Sequence, residues 1–505
     1  MKKIQILTSV AAVLLVPVLA GAQTSAVERA AATITQDDYA WRVGVIAHDS
    51  MQGRDTPSPG LDKTAQWIAS EFRRFGLRGG GDDGGFIQSY PLEQTTLNVD
   101  ASGLTVGANT LRFGDDLLPL FGSPGDLEAT GGLVLISGST SPGSLSSVDL
   151  SGQHTVLVLA PGSEGINREV FGLLRAVRDG GPATLIIANS MADEEWGSQA
   201  AQSLRPSVRW PDQGGGSGPG APMLQVRTGA LERLLQGTGV SLSDLQNRSG
   251  DEIRAYRVAG MSATLKTQVT VSMTSAPNVV GILEGSDPDL KEEYIVYSGH
   301  MDHVGTGVPD ENGDSIFNGA DDDASGTIAV VEVAEAMSSL APAPRRSMIF
   351  LVVSGEEKGL WGSRYYADNP TVPIENLVAN LNADMVGRNW PDTIVAIGKE
   401  HSDLGETLNR VNEAHPELRM TAIDDIWPEE NFYGRSDHFN FAKKGVPVLF
   451  FFNGTHDDYH GRDDEPERLD AEKAARIARL VFYLGLEVAN AEDRPKWNPE
   501  SYKRI

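Results

Sequence analysis

Five stretches in the second half of the chain concentrate imidazole and carboxylate groups. They are Ser298-Gly299-His300-Met301-Asp302-His303, Asp321-Asp322-Asp323, Ser354-Gly355-Glu356-Glu357, Asn382-Ala383-Asp384-Met385 and His456-Asp457-Asp458-Tyr459-His460. The chain has no cysteine, so disulfides and thiolate metal sites are excluded. Any metal must be held by His and carboxylates. Two His with three carboxylates suit a zinc pair in which one carboxylate bridges both ions. Such a pair, about 3.5–4 Å apart, acidifies a water and polarises a scissile carbonyl. A further carboxylate must then take the water's proton and pass it to the leaving amine. Adjacent Glu356 and Glu357 suit that division, one as base and one as ligand.

Taken singly, each stretch has a plainer explanation. An Asp triplet is commonly a solvated turn, and paired Glu at a helix start serve the helix dipole. Asp310, Asn312 and Asp314 imitate the opening of a calcium loop, but Ser315 stands where the turn glycine belongs. Ser436-Asp437-His438 resembles the parts of a serine-hydrolase triad, yet consecutive residues do not form one, and the chain has no G-x-S-x-G elbow. The conjunction, in this order along the chain, is what carries the metal reading.

The elements between these stretches must position them. Residues 294–297, 348–353, 377–381 and 448–452 read as buried strands. Residues 328–337, 360–368 and 471–489 read as helices. This alternation predicts an α/β fold, a three-layer sandwich with a largely parallel central sheet. Sites in such sheets form outside the carboxyl ends of strands, where the five stretches lie. Upstream, residues 35–95 carry two helical patterns, through Val43, Ile46 and Met51 and through Ala65, Ile68 and Phe72. Between 111 and 256, β-like runs at 132–136, 155–159 and 184–188 alternate with Gly-, Ser- and Pro-rich loops, and 213–220 is nearly all Gly. No catalytic cluster appears there, so this stretch reads as an inserted β-rich domain. The expected organisation is 1–22 a signal peptide, 23–110 the first part of the α/β domain, 111–256 the insertion, 257–495 the catalytic part of that domain and 496–505 a tail.

The signal peptide follows from Lys2-Lys3, an apolar run over 4–19 and the small-x-small site Ala20-Gly21-Ala22. It predicts export to the periplasm or outside the cell. No later apolar stretch is long enough to span a bilayer. The formal net charge of −27 repels nucleic-acid phosphates and anionic membrane surfaces, so neither is expected as a partner once the leader is removed.

The motifs SGHMDH, NGADDDASG, SGEEKGLWGS, NADMVG, SDHFNF, GVPVLFFF and DYHGRDDE together resemble the secreted bacterial two-zinc aminopeptidases, family 28 of the metallopeptidases. Glutamate carboxypeptidases and glutaminyl cyclases are related to that family. The likeness covers about 277–490 closely and 35–95 loosely, and the middle stretch resembles a protease-associated domain. The resemblance implies a zinc-dependent aminopeptidase acting on peptides, with two Zn2+ ions held by His300, Asp322, Glu357, Asp384 and His460. Asp322 is then the bridging ligand, with Asp321 and Asp323 as its neighbours. His300 pairs with Asp384 at one ion, and Glu357 with His460 at the other. Asp302 orients the imidazole of His300, Glu356 is the general base, and Tyr459 donates to the developing oxyanion. His456 is the rival to His460, and His48, His154, His401 and His415 are solvated or structural. The run Gly461-Arg462-Asp463-Asp464-Glu465 departs from the family's usual small or Pro residues followed by Asp-Thr, which puts the neighbouring pocket in question. Alternatives within the superfamily are a carboxypeptidase or dipeptidase, for which Arg435 would clamp a free carboxylate, and a one-zinc cyclase. A catalytically inactive, receptor-like binding module is a further alternative, but no ligand or base position is lost. Three ligand carboxylates and a bridging hydroxide cancel two Zn2+, and Glu356 with the aspartates at 302, 321 and 323 adds negative charge. That balance favours a substrate's free α-ammonium.

Overall fold

The computed structural model describes residues 26–120, 122–137, 149–159, 168–211, 221–247 and 254–502. The expected signal peptide and the glycine run at 213–220 lie outside the described residues. The chain divides into two compact units, Met1–Tyr90 with Ser275–Ile505, and Pro91–Thr274.

The first unit is built on strands β1 (Ile87–Leu97), β2 (Val269–Leu283), β3 (Tyr294–His300), β4 (Ser347–Val353), β5 (Leu377–Ala383), β6 (Thr393–Ile397), β7 (Thr421–Ile423) and β8 (Val448–Phe452), in the order β7-β6-β8-β5-β3-β4-β2-β1. β4, β3, β5 and β8 run parallel, whereas β2 and β6 join them antiparallel. Every residue of β3, β4, β5 and β8 is buried. These strands are near-continuous apolar runs because a parallel sheet is covered on both faces. The register places His300 beside Val353, Ser298 beside Asn382 and Ala383 beside Phe451. The four strands therefore end in one row, and the residues that follow them converge.

Helices α1 (Gln36–Ile46), α2 (Pro59–Arg74), α3 (Gly326–Ser338), α4 (Trp361–Asp368), α5 (Leu404–Ala414), α6 (His438–Ala442) and α7 (Ala471–Asn490) complete the unit. α3 is apolar almost all round and buried over nearly its whole length, as expected of a helix enclosed in a core. α7 and α1 pack against it. Alternate strand residues divide between the faces. Tyr297 stacks on Phe350, and Phe350 meets Phe72 of α2. Val296, Ile349 and Leu351 instead join Tyr366 of α4 and Phe441 of α6 in one core. Arg42 of α1 is buried and bonded to Glu332 of α3 at 2.8 Å, a cross-layer pair that fixes the approach of the two helices. The result is the helix–sheet–helix layering expected.

In the second unit, an eight-stranded mixed sheet has the order Asn109–Arg112, Gly103–Val106, Arg254–Thr267, Leu127–Ser137, His154–Val158, Thr184–Asn189, Met223–Arg227, Leu117–Pro119. The strands read at 132–136, 155–159 and 184–188 form its parallel part together with Met223–Arg227. Leu133 and Leu135 face one apolar cluster with helix Thr228–Leu235, while Val134 and Ile136 face another with Leu173, Leu174 and Val177. The unit thus has its own core on each face of the sheet. It extends beyond 111–256 at both ends, because the strands at 103–106 and 254–267 belong to its sheet. His154 is buried there with Nδ1 at 2.9 Å from Thr184 Oγ1, a structural role.

Candidate metal centre

The aspartate triplet is shaped by backbone hydrogen bonds. Asp323 accepts the N–H groups of His300 (3.0 Å), Gly326 (2.8 Å) and Met385 (3.1 Å), which fixes the ends of β3 and β5 against the start of α3. Asp321 accepts from Gly387 N–H and Ser325 Oγ. Asp464, fully buried, accepts the N–H groups of Asp321 and Asp322 at 3.0–3.1 Å. Gly319 before the triplet has φ of +56°, and a Cβ there would stand 2.3 Å from Asp322 O and 2.5 Å from the His303 ring. Only glycine fits. With its neighbours occupied by the backbone, Asp322 alone turns its carboxylate to the open edge of the sheet.

Asp322 Oδ1 lies 3.5 Å from His300 Nε2, which is 3.7 Å from Asp384 Oδ2. Asp322 Oδ2 lies 3.1 Å from His460 Nε2, which is 3.1 Å from Glu357 Oε2. One carboxylate thus presents one oxygen to each of two clusters. Ligands about 2.1 Å from a tetrahedral zinc stand about 3.4 Å apart, and the four separations bracket that value. Asp322 Oδ2 and His460 Nε2 are buried without a hydrogen-bond partner, as atoms awaiting an ion would be. Asp323 also reaches His300 and Asp384, but its oxygens are committed to three backbone N–H groups, so it anchors the site.

The electrostatics also favour cations here. Burial would lower the pKa of His460, yet Asp322 and Glu357 raise it to about 10. For His300, burial is likewise overruled by Asp323, Asp384 and Glu356, and the imidazole is pushed well above its usual range. Without metal, the cluster recruits protons as substitute positive charge. Burial raises the Glu356 carboxyl well above the carboxylate range; His300 opposes this, while Asp437, Asp384 and Glu357 add to it. Glu357 goes the other way, because contacts with His303 and His460 outweigh its burial. Adjacent glutamates therefore have opposite proton affinities, the property an acid–base partner beside a ligand requires.

The remaining expected residues fall in two groups. Asp302 is buried, its Oδ2 accepting from Thr56 Oγ1 (3.0 Å) and its Oδ1 from Glu356 N–H (3.3 Å). The Nδ1 of His300 is 3.2 Å from the Asp302 carbonyl and 3.7 Å from its carboxylate, so the backbone of Asp302 is the nearer partner of the imidazole. Tyr459 lines the cavity over the clusters and stacks on His460 at 4.0 Å. Burial, with Asp322 and Glu357, raises its hydroxyl pKa and keeps it a donor. His456 is not in either cluster; its Nε2 faces Asp321 Oδ2 at 3.3 Å. Ser436 Oγ donates to Asp384 Oδ2 at 2.8 Å, and the His438 ring stacks on Phe450, so this triplet positions a ligand. Asp310 accepts from the N–H groups of Asn312 and Asp314, an ordinary turn. His48 accepts from Ser50 N–H, His401 meets Ser501 and His415 stacks on Tyr483, all structural.

Sequence reasoning missed four contributors. His303 is buried with Nδ1 3.1 Å from Glu357 Oε1 and 3.6 Å from Asp322 Oδ2. Its signal was present in the SGHMDH motif, directly after Asp302. Thr56 links Asp302 to Gly355 N–H. Arg54, with no exposed surface, donates to the carbonyls of Ile46, Met301, Asn318 and Gly319 and ties together the loops behind the site. Asp464 is the fourth. Apart from Ile46, eight residues from Arg54, the groups that these last three hold lie far away in sequence, and no local pattern announces them.

Comparison with known proteins adds an independent line. Residues 278–485 match the family model described as Peptidase family M28. Aminopeptidase YwaD of Bacillus subtilis (strain 168) is 26% identical over 270 residues, which cover 51% of this chain and 53% of the relative. A probable zinc metalloprotease of Leptosphaeria maculans is 37% identical over 292 residues, covering 50% of this chain and 65% of the relative. The chain spans about half the length of the curated relatives it matches. Among solved structures, the aminopeptidase from Aneurinibacillus sp. strain AM-1 has a TM-score of 0.54 at 17% identity, covering 93% of this chain and 97% of that one. The zinc aminopeptidase BSAP of Bacillus subtilis has a TM-score of 0.55 at 18% identity, covering 91% and 96%. At such identities the structural likeness is one of fold.

Proposed function

We propose that the protein, whose residues 278–485 match the Peptidase family M28 model, is a two-zinc aminopeptidase that removes the N-terminal residue from unblocked peptides. The observation that carries this reading is the split of Asp322, with Oδ1 toward His300 and Oδ2 toward His460. His300, Asp322 and Asp384 would hold one ion; Asp322, Glu357 and His460 would hold the other. A zinc pair so held acidifies a water and polarises the substrate carbonyl.

The chain's own groups do the rest. Glu356, partly buried and lining the cavity with His300, Asp322 and Asp384, accepts the water's proton and returns it to the leaving amine. Asp302 holds the Glu356 backbone through its N–H and keeps His300 in place through its carbonyl. Tyr459 offers an O–H to the oxygen on which charge develops. With the ligand carboxylates balanced by the two ions, Glu356, which lines the cavity, and the aspartates at 302, 321 and 323 would leave the surroundings negative, which favours a free α-ammonium. The relatives' printed descriptions, aminopeptidase and zinc metalloprotease, support the same activity. We include export in the proposal on the strength of the leader pattern at 1–22. No described helix is long and apolar enough to cross a membrane. The protease-associated-like middle unit is proposed to act on substrate access, since it contributes none of the metal-cluster residues.

The direction of attack is tested with one hexapeptide in three forms: free, N-acetylated and C-amidated. Acetylation is expected to abolish release of the first residue, and amidation to leave it unchanged. Cleavage of the acetylated form with loss on amidation would make the enzyme a carboxypeptidase.

A further inference from the structure

Arg435 was set aside in the aminopeptidase reading, yet it lines the same cavity as the metal clusters. The cavity floor is formed by His300, Asp322, Glu356 and Asp384, and Phe432, Phe450 and Phe452 contribute apolar wall. Among the described residues lining it, Arg435 is the one permanent cation. Its guanidinium lies 4.7 Å over the Phe432 ring, a stacking that holds the plane and leaves the N–H edge open. Its ion-pair partner among the described residues is Glu430, at 3.9 Å with both side chains about half exposed, which is a weak, solvent-screened contact. The backbone beneath it is set by the next residue, because Ser436 Oγ bonds Asp384 Oδ2 and accepts from Asn382 Nδ2 at 3.0 Å. A half-exposed cation therefore lines the cavity next to a residue bonded to a ligand, stacked on Phe432 and without a strong ion-pair partner among the described residues.

We propose that Arg435 binds a substrate carboxylate at the mouth of the metal cavity, making the enzyme selective for peptides that bring a carboxylate close to the scissile bond. This rests on the aminopeptidase reading above. A guanidinium edge matches a carboxylate with two parallel N–H···O bonds. Two sources share that chemistry. One is the C-terminal carboxylate of a dipeptide, one residue beyond the cleaved bond, and the other is the side chain of an N-terminal Glu or Asp. Phe432 and its two neighbouring rings accommodate the methylenes or the apolar side chain in either case.

The test uses the zinc-loaded full chain and its Arg435→Gln variant with two matched pairs, Leu-Gly against Leu-Gly amide and Glu amide against Gln amide. In the wild type, the carboxylate member of at least one pair has the higher kcat/KM. In Arg435→Gln that preference falls by about 10-fold or more, the scale of one partly exposed charge-assisted contact, and the change lies mainly in KM. The pair that responds identifies the source. Arg435→Lys restores part of the preference if charge is the cause. A fall that is equal for both members of each pair would assign Arg435 to packing on Phe432 and overturn the proposal, as would an unchanged ratio. A readout independent of turnover is calorimetric binding of Leu-Gly and its amide to Glu356→Gln and to Glu356→Gln/Arg435→Gln, where the affinity ratio should fall by the same factor. If Leu-Gly amide is hydrolysed normally but no ratio moves, only this inference fails. If the wild type releases leucine from neither Leu-Gly nor its amide, the aminopeptidase reading fails, and the binding ratios still decide the role of Arg435.

Discussion

Replacing Asp464 by Asn should separate zinc affinity from stability. The carboxylate accepts the N–H of Asp321 through both oxygens and that of Asp322 through Oδ2. An Asn can place its amide oxygen at the Oδ2 position and keep a contact with both N–H groups, but its NH2 then replaces Oδ1 against the Asp321 N–H. The Oδ1 branch of the Asp321 bond and the charge assistance of the remaining contacts are lost, about 1.5–3 kcal/mol. Against this, burial and the nearby Asp321 and Asp322 push the Asp464 pKa up to about 6. Carrying that charge in the folded state therefore costs about 3 kcal/mol at neutral pH, and Asn removes the cost. The two effects nearly cancel, so the metal-free melting temperature should change little. The Asp322 backbone is nonetheless released from an acceptor that sets the direction of its side chain. Partners at this distance from a metal typically contribute 10- to 100-fold to affinity. Zinc competition with a chromogenic chelator should show a loss in that range for Asp464→Asn, with Asp463→Asn as the control because Asp463 is largely exposed and pairs with Arg468. Wild-type zinc affinity in Asp464→Asn would refute the positioning argument. A large fall in the melting temperature would refute the cancellation.

Two further outcomes follow from the site. Glu356→Gln should retain both metals and the fold while kcat falls by about 100-fold or more; near-normal turnover with metals bound would remove Glu356 as the base. Zinc uptake should release protons at neutral pH, because His460, with a pKa raised to about 10 without metal, must lose its proton to become a ligand. Since the folded-state value is raised, the proton is present below about pH 10, and zinc affinity should climb as pH rises toward that value. Calorimetry in buffers of different ionisation enthalpy measures the release, and uptake without proton release would contradict the assigned charge state.

Much of the site was legible because chemistry and strand ends coincide in the chain. Short β-branched and apolar runs such as Met348 to Val353 read as strands of a covered sheet, and each is followed within a few residues by His or carboxylate. Parallel topology then requires those ends to meet at one edge, whatever lies between them. The choice of Asp322 from its triplet came from the resemblance, and the structure supplies a physical reason: Asp321 and Asp323 are occupied by backbone N–H groups. The donor types followed from elimination, since a chain with no cysteine leaves imidazole and carboxylate groups, and two His with three carboxylates suit zinc.

What the sequence could not decide are contacts made across long separations. His456 and His460 sit four residues apart in one loop, and no spacing rule distinguishes them; the choice of His460 came from the resemblance. The fold does, by turning His460 onto Asp322 and Glu357 and His456 onto Asp321. Asp464 was read as part of an irregular run, but packing places it under the amides of residues 321 and 322. Arg54 reaches carbonyls up to 265 positions away. His303 could not be told from a loop histidine until β4 brought Glu357 beside it. Sequence records side-chain chemistry and local periodicity, which are properties of neighbours along the chain. Which oxygen faces which nitrogen depends on strand register and loop closure, and these exist only after the sheet has formed.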